Sequence, residues 1–442
     1  MKKCRNGMRG LLSLCSVSAV AALAVVLAVS LSGCVSNKSA SAVSVGLTNQ
    51  YFGTASQVSA WSWSGGTWSI TLDPTTDYFS YFDVNNESRS GSSLNGAFTT
   101  TSSGILDLTL SQGTTGGGGY AVTLPGEGLL MRTGSSATDI FGNSPSALIG
   151  ATISAVCPVF TSAETFNFIA QGTTIQGDSI IHVAYGSVEI TPGANSWSFS
   201  NFTMYDLSGN ALSPTAIPDA TCPPTTEGYV LVSPLPNVLD SPAQITTGVS
   251  PSGLLVIDQG QNKSVYSQSN FDTTPTGPVG LLGVIKPSAA LNVSEMVGKK
   301  YAGFESDPLS SLGTVAVVFG STPGSGTAGS GTAISGGGFP KDDVTQTPRT
   351  DTTLDLGTQS SQTPGLFPSV TLTQPDTYEL CVNTSSAGKD AQGNATCIFH
   401  GVAVAGKVGG KYVIFTNIND PTARNSSGAT PLAAINLALY QQ

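Results

Sequence analysis

The chain has 442 residues, a formal net charge of −10 and only 10% charged residues. Soluble proteins usually carry about 25% charged residues, and serine, threonine and glycine take their place here. An acidic surface repels the phosphate backbone of nucleic acids, so we expect no nucleic-acid partner. The length is sufficient for two or three domains with their own cores.

The first 33 residues predict a secretory signal. Four cations, Lys2, Lys3, Arg5 and Arg9, precede an uncharged apolar run at 11–30 and the small residues before Cys34. This order is typical of cleaved signals. The alternative is an uncut membrane anchor, because the apolar run approaches the ~20 residues that span a bilayer.

The segment Leu31-Ser32-Gly33-Cys34 resembles the lipobox of bacterial lipoproteins, in which the cysteine sulfur receives diacylglycerol before cleavage. The resemblance implies a mature chain that begins at Cys34 and is held in a membrane by acyl chains such as palmitate, at ~0.8 kcal/mol per buried methylene. No Asp follows Cys34, which implies the outer membrane and leaves its periplasmic or surface face open. Residues 34–45 predict a flexible tether. Loss of the four signal cations lowers the net charge from −10 to −14.

The remaining cysteines predict disulfides. Cys4 and Cys15 leave with the signal, and four others stay in the mature chain besides Cys34: Cys157, Cys222, Cys381 and Cys397. An even number in an oxidising compartment favours disulfide bonds. Three connectivities are open, and local closure favours Cys157–Cys222 and Cys381–Cys397. No Cys-x-x-Cys spacing occurs, so we expect no metal site.

The mature region predicts an all-β fold of two or more antiparallel β-barrel or β-sandwich domains with long Gly/Ser-rich loops. We expect β regions at 46–155, 156–290 and 291–442, the last with a mobile loop at 321–362. Short alternating segments between Gly, Pro, Asn and Asp residues predict these strands: 77–84, 105–110, 120–124, 128–132, 165–170, 180–190, 196–205, 228–232, 254–257, 300–304, 314–319, 369–373, 378–382, 396–404 and 411–417. A two-turn helix is predicted at 288–297, whereas 432–440 fits a helix or a strand.

Three tryptophans form the candidate ligand surface. A Gly65-Gly66 turn would pair Trp63 with Trp68 and Trp61 with Ile70, and would place all four side chains on one face. Flat aromatic surfaces stack on sugars and other planar groups. Tryptophan pairs are also buried in β cores, and the core interpretation is favoured.

Two sequence motifs are interpreted as loops. Residues 324–329 match the dinucleotide pattern G-x-G-x-x-G, but glycine and serine continue where a helix should begin. Gly177-Asp178-Ser179 resembles the nucleophile block of GDS-type hydrolases, whose C-terminal Asp-x-x-His partner this chain lacks. The resemblance therefore implies no nucleophile here.

The remaining polar residues give no catalytic or metal signature. The two histidines, His182 and His400, lie on separate predicted strands, the first facing away from its apolar neighbours and the second sharing a face with Ile398 and Val402. They would supply half a zinc site at most. Asp83 to Glu87 begins like a calcium loop but lacks the required Gly and distal Glu. Four scattered carboxylates, Glu164, Glu189, Glu227 and Glu305, show no glycosidase spacing. We expect no cofactor, no metal and no catalytic residue.

Several segments resemble those of an uncharacterised family of β-rich proteobacterial lipoproteins, which implies a β fold and no transferable activity. These are 165–169, 184–188, 197–202, 251–256 and 301–304. We expect a lipid-anchored cell-envelope protein that is non-catalytic and serves binding or assembly, with an envelope protein or a glycan as partner. The alternatives are a carbohydrate- or small-ligand-binding module with exposed aromatics, and a secreted hydrolase.

Overall fold

Antiparallel strands form nearly all of the described structure, which confirms the all-β prediction. The computed structural model describes residues 50–57, 67–74, 77–83, 93–101, 104–110, 119–133, 146–152, 160–172, 182–194, 196–212, 220–221, 229–232, 245–259, 280–307, 311–319, 333–335, 353–375, 386–389, 395–418 and 435–442. All of them belong to one unit, Ala42–Gln442. No helix in these ranges is long and apolar enough to cross a membrane.

The first sheet closes into an eight-stranded barrel. Its strands are β1 (Gln50–Gln57), β2 (Thr67–Asp73), β3 (Tyr78–Asp83), β4 (Ser93–Thr100), β5 (Ile105–Leu110), β6 (Gly119–Leu124), β7 (Gly128–Thr133) and β8 (Ser146–Thr152). Each strand pairs with the next along the chain, and β1 closes the ring on β8, with Tyr51 opposite Thr152.

The second sheet contains β9 (Glu164–Gly172), β10 (His182–Pro192), β11 (Ser196–Asp206), β12 (Ala211–Leu212), β13 (Ala220–Thr221), β14 (Tyr229–Val232), β15 (Ile245–Val249), β16 (Leu254–Gln259) and β17 (Gly280–Ile285). Successive strands pair, β17 returns to β9, and β12 is an extra strand on β11. Because β10 also pairs with β11, eight of the nine strands form a second closed ring.

The third sheet repeats this arrangement. It contains β18 (Lys300–Asp307), β19 (Ser311–Phe319), β20 (Ala333–Ser335), β21 (Thr353–Asp355), β22 (Leu366–Pro375), β23 (Ser386–Lys389), β24 (Ala395–Val408), β25 (Lys411–Ile418) and β26 (Ile435–Gln441). The β22–β24 pairing closes a ring of eight, β23 is an extra strand, and β26 returns to β18.

The three rings are therefore barrels of one topology, in which consecutive strands are neighbours and the first strand pairs with the last. Since eight is an even number of antiparallel strands, each barrel begins and ends at the same end. Tyr51 lies opposite Thr152 in the first barrel, and Tyr301 lies opposite Gln441 in the third. We call this end the base and the opposite end the top.

Alternate side chains along a strand serve two different cores. In β24, Ala403 and Ala405 face the interior of the third barrel, whereas Val402 and Val404 join a cluster shared by all three barrels. The shared cluster includes a contribution from every barrel, such as Leu130, Val256 and Phe415. Each fully buried side chain of this size contributes about 1.5–3 kcal/mol. This double burial explains the continuous apolar runs of the sequence.

The predicted tryptophan hairpin is wrong in its pairing. Both edges of β2 are occupied by β1 and β3: Trp68 lies opposite Gly53 and Asp83, and Ile70 lies opposite Tyr51 and Tyr81. The β1–β2 pairing places Tyr51, which is 2% exposed, beside the buried Ile70 inside the first barrel. Burial of this face fixes the register of β2 against β1.

Two further expectations differ from the structure. The helix predicted at 288–297 is reduced to a single 3-10 turn, Val293–Glu295. The Asn292 side chain caps its start by accepting hydrogen bonds from the backbone and hydroxyl of Ser294, and Gly298, with φ +71°, ends the segment before β18. Two short strands, β20 and β21, lie within the predicted loop 321–362, where they complete the third ring.

Candidate functional site

Most connections at the base are short turns, whereas several of those at the top are long. Base turns include 74–77, 101–104, 125–127, 193–195, 250–253 and 409–410, and the third barrel adds two longer base connections, 320–332 and 356–365. Long connections that join strands at the top are 134–145, 233–244, 260–279, 336–352 and 419–434. Binding residues of proteins concentrate on long loops held by a rigid scaffold. The top is therefore the candidate binding side of the molecule.

The three bases meet at a buried carboxylate, Glu127, which is 7% exposed. It follows a turn in which Pro125 and Gly126 (φ +74°) occupy the central positions of a type II turn closed by a 2.9 Å bond from its own N–H to Leu124. Its carboxylate accepts the Ser252 hydroxyl at 2.6 Å and the Ser252 N–H at 3.0 Å. Glu127 thus joins the first barrel to the second.

The third barrel completes this junction through a glycine. Gly409 and Gly410, with φ +57° and +80°, form the two-residue type I′ turn between β24 and β25. A Cβ added at Gly409 would lie only 3.0 Å from Cγ of Glu127. The absence of a side chain at this position lets the third barrel approach the carboxylate.

Buried hydroxyls surround the same junction. Burial, and then the charge of Glu127, raises the pKa of Tyr51, and burial raises that of Tyr440. Both phenols therefore stay protonated at neutral pH. Tyr440 Oη and Thr152 Oγ1 are buried without a hydrogen-bond partner among the described residues. The junction is polar and tightly packed, and its contacts have a structural role, because they join the barrels to one another.

A second polar network lies on the surface at the base of the third barrel. Glu295 Oε2 accepts the Lys407 ammonium at 2.7 Å and the Tyr412 hydroxyl at 2.9 Å, and Lys407 Nζ lies 4.9 Å from the Tyr412 ring centroid. Hydrogen bonds from Lys407 and then Tyr412 lower the pKa of Glu295, and the bond to Glu295 raises the pKa of Lys407. This network holds the 3-10 turn against the β24–β25 hairpin.

The predicted ligand and disulfide residues fall mostly outside the described ranges. Trp61 and Trp63 belong to the connection 58–66, which joins β1 to β2 at the top. Trp68 lies in β2 and Cys397 in β24, and only their backbones are described. Of the predicted lipidation and disulfide residues, four lie outside the described ranges: Cys34, Cys157, Cys222 and Cys381. The lipidation, ligand and disulfide assignments all stay predictions.

The other candidates are not brought together by the strand ladders. His182 pairs with Gly172 in the second barrel, and His400 pairs with Thr371 in the third. His400 shares the face of Val402 but is exposed, because it lies beyond the edge of the shared core. Within the described part of the chain, no three His, Cys, Asp or Glu side chains converge as a metal site would require.

Two of the four carboxylates singled out in the sequence have separate local partners. Glu189 accepts hydrogen bonds from Ser200 and Asn201 at a bulge in β11, and Glu164 accepts one from Ser162. Only the backbone of Glu305 is described, in β18. The motifs at 177–179 and 324–329 lie outside the described residues, as do Glu227 and most of the Asp83–Glu87 segment. Sequence reasoning missed Glu127, whose partner is far away along the chain. The only local signal was its Pro-Gly turn.

Comparison with known proteins identifies no family. No protein-family model matches the chain, and no curated protein matches it. Among solved structures, one match is the crystal structure of a point mutant of the vaccine antigen transferrin binding protein B (TbpB) from Haemophilus parasuis Hp5. It is 11% identical, with a TM-score of 0.22, and the match covers 86% of this chain and 66% of the TbpB chain. A TM-score this low supports no inference about fold or function.

Proposed function

We propose that this chain is a lipid-anchored protein of the cell envelope, attached to the outer membrane through Cys34, that binds a partner with the top of its barrels. The observation that carries the proposal is the difference between the base and the top of the barrels. β1 begins at Gln50 at the base, so the tether from Cys34 arrives there, while most of the long connections join strands at the top. An anchored protein of this form holds these long loops away from the bilayer.

The anchor is tested by the intact mass and the membrane fraction of the protein beside Cys34→Ala. We expect a lipidated mass on the wild type, whereas the Cys34→Ala chain is left unprocessed. Cys15→Ala is the matched control, because it removes a cysteine from the signal without changing the lipobox, and it should be lipidated like the wild type. An unlipidated wild-type mass would contradict the proposed anchor.

A glycan is the second candidate for the partner. Trp61 and Trp63 both belong to the connection 58–66 at the top, which favours stacking on a sugar over a purely structural role. On a glycan array, Trp61→Ala with Trp63→Ala should weaken any observed binding by about 2 kcal/mol, the usual threshold of a hot spot. Trp61→Phe with Trp63→Phe retains flat rings and should bind nearly as the wild type. Equal binding by both pairs would exclude a role for these rings.

A further inference from the structure

Four lysines gather at the base of the third barrel. Lys299 and Lys300 are exposed at the start of β18, and Lys407 and Lys411 flank the Gly409–Gly410 turn. The β18 start and the β24–β25 turn both belong to the base, because β26 ends between them: Tyr301 lies opposite Gln441, and Val413 lies opposite Tyr440. We call these four residues the lysine patch.

The patch carries a local positive charge on an acidic protein. Glu295 neutralises Lys407, with 2.7 Å between the charged atoms. No ion pair to the other three lysines occurs among the described residues. The acidic side chains at the bases of the other two barrels include Asp77 and Glu164. Lys286, which follows β17 beside Thr165, is the one lysine described at the base of the second barrel, so four of the five lysines described at the base belong to the third barrel.

The same end receives the tether. Residues 34–49 separate Cys34 from the start of β1 and span at most about 55 Å when fully extended. The base is consequently within reach of the bilayer that holds the acyl chains, and the end nearest to that bilayer carries the lysines.

We propose that the lysine patch docks onto anionic phospholipid headgroups in the membrane that carries the Cys34 lipid. The ammonium groups meet headgroup phosphates, and a basic patch supplies the second contact that, together with acyl chains, makes membrane attachment stable. This inference rests on the proposed anchor for its geometry. Docking through the patch orients the molecule with the base of its third barrel against the membrane.

The test uses the mature chain, residues 34–442, with Cys34→Ser, so that binding does not depend on the lipid. It is sedimented with vesicles of phosphatidylcholine alone and with vesicles that contain phosphatidylglycerol. One variant combines Lys299→Gln with Lys300→Gln. The matched control combines Lys263→Gln with Lys389→Gln, which changes the net charge equally; Lys389 ends β23 near the top, and Lys263 belongs to the connection 260–279 there. Thermal melts verify that every variant is folded.

We expect binding only to the phosphatidylglycerol vesicles. Each lysine near an anionic surface is worth roughly fivefold in partition, so the patch variant should bind on the order of 25-fold more weakly. The control should bind as the wild type does. A third variant, Lys299→Arg with Lys300→Arg, keeps both positive charges and should also bind as the wild type does. Failure of the wild type to bind, equal binding to both vesicle types, or an equal loss in patch and control variants would overturn the proposal.

Two outcomes separate this inference from its alternatives. A lysine-dependent dimer seen by size-exclusion chromatography without vesicles, with no vesicle binding, would assign the patch to the acidic surface of a second copy instead. An unlipidated Cys34 in the mass measurement would refute the anchor alone, because the vesicle experiment contains no lipid on the protein.

Discussion

Glu127 shows how one side chain joins elements that are distant in sequence. It lies in a turn of the first barrel, bonds Ser252 of the second and contacts the glycine turn of the third. Its Pro-Gly turn can be read from the sequence, but its partner lies 125 residues away. Local patterns contain no information about such a pairing, so the junction could not be predicted.

The Ser252 hydroxyl should contribute measurably to stability. Ser252→Ala removes a 2.6 Å hydrogen bond to a buried carboxylate, and we expect the free energy of unfolding to fall by about 1.5–3 kcal/mol. Ser208→Ala is the matched control, since Ser208 occupies the same position of a similar turn but is exposed. It should change stability by less than about 0.5 kcal/mol. Equal losses in urea denaturation would contradict the role of Glu127.

The Glu295–Lys407 pair predicts a pH dependence with two limits. The pKa of Glu295 is lowered from 4.5, so its stabilising contribution is present above that value and is lost as the pH falls through the folded pKa. The pKa of Lys407 is raised from 10.5, so its contribution is lost as the pH rises through the folded pKa. Glu295→Gln should therefore melt below the wild type between these limits, with a gap that closes at both extremes. High salt should narrow the gap, because both side chains are exposed.

Three hairpins of this molecule contain the same type of turn. They are Thr101–Ile105, Asp206–Asn210 and Ser250–Leu254, each with Ser-Gly at its third and fourth positions in the sequence. In each, the side-chain oxygen of the first residue accepts the N–H of the fifth, at 3.1, 2.8 and 2.9 Å. The glycine has a positive φ, as a three-residue hairpin loop requires.

The same turn allows backbone strain to be separated from packing. Gly209 and Gly253 have φ +81° and +100°, so an alanine at either costs about 1–2 kcal/mol. A Cβ at Gly253 would also lie 2.5 Å from Cβ of Ile285, whereas nothing lies within 4 Å at Gly209. We expect Gly253→Ala to lower the melting temperature clearly more than Gly209→Ala. Equal shifts of the melting temperature would show that β17 moves away from the added methyl group at no cost in stability.

Strands were predictable where turn residues delimit them and not where pairing alone does. β5 was predicted with its observed limits, 105–110, between Gly104 and a polar segment. β17 was missed because Gly280 and Gly283 interrupt its apolar run, although Gly283 packs closely on the backbone of Asn167. β20 and β21 have only three residues each, and ring closure in the third barrel, rather than local pattern, makes them strands.

The shared core governs the behaviour of the whole molecule. Because outward-facing residues of all three barrels form one cluster, a barrel separated from the others would expose an apolar face. The regions predicted at 46–155, 156–290 and 291–442 stay predictions as independent domains. The sequence indicates where each β region lies, but not that their outer faces are buried against one another.

We expect the three barrels to unfold together. Phe415 is 1% exposed in the shared core, and Phe415→Ala should cost about 3–5 kcal/mol. Differential scanning calorimetry of the variant should show one transition, shifted as a whole. Limited proteolysis at increasing temperature should then cut the first and third barrels over the same interval. A first barrel that resists cutting after the third is digested would contradict a common core.

The even strand count of each barrel has a consequence for how such a chain can grow. Because every barrel starts and finishes at the base, a further eight-stranded unit can follow Gln442, or one can be deleted between two linkers, without inverting the others. A unit with an odd number of strands would reverse every unit after it. The architecture thus accepts gene duplication in steps of one barrel, and each new copy adds further connections at the top, the end opposite to the start of β1.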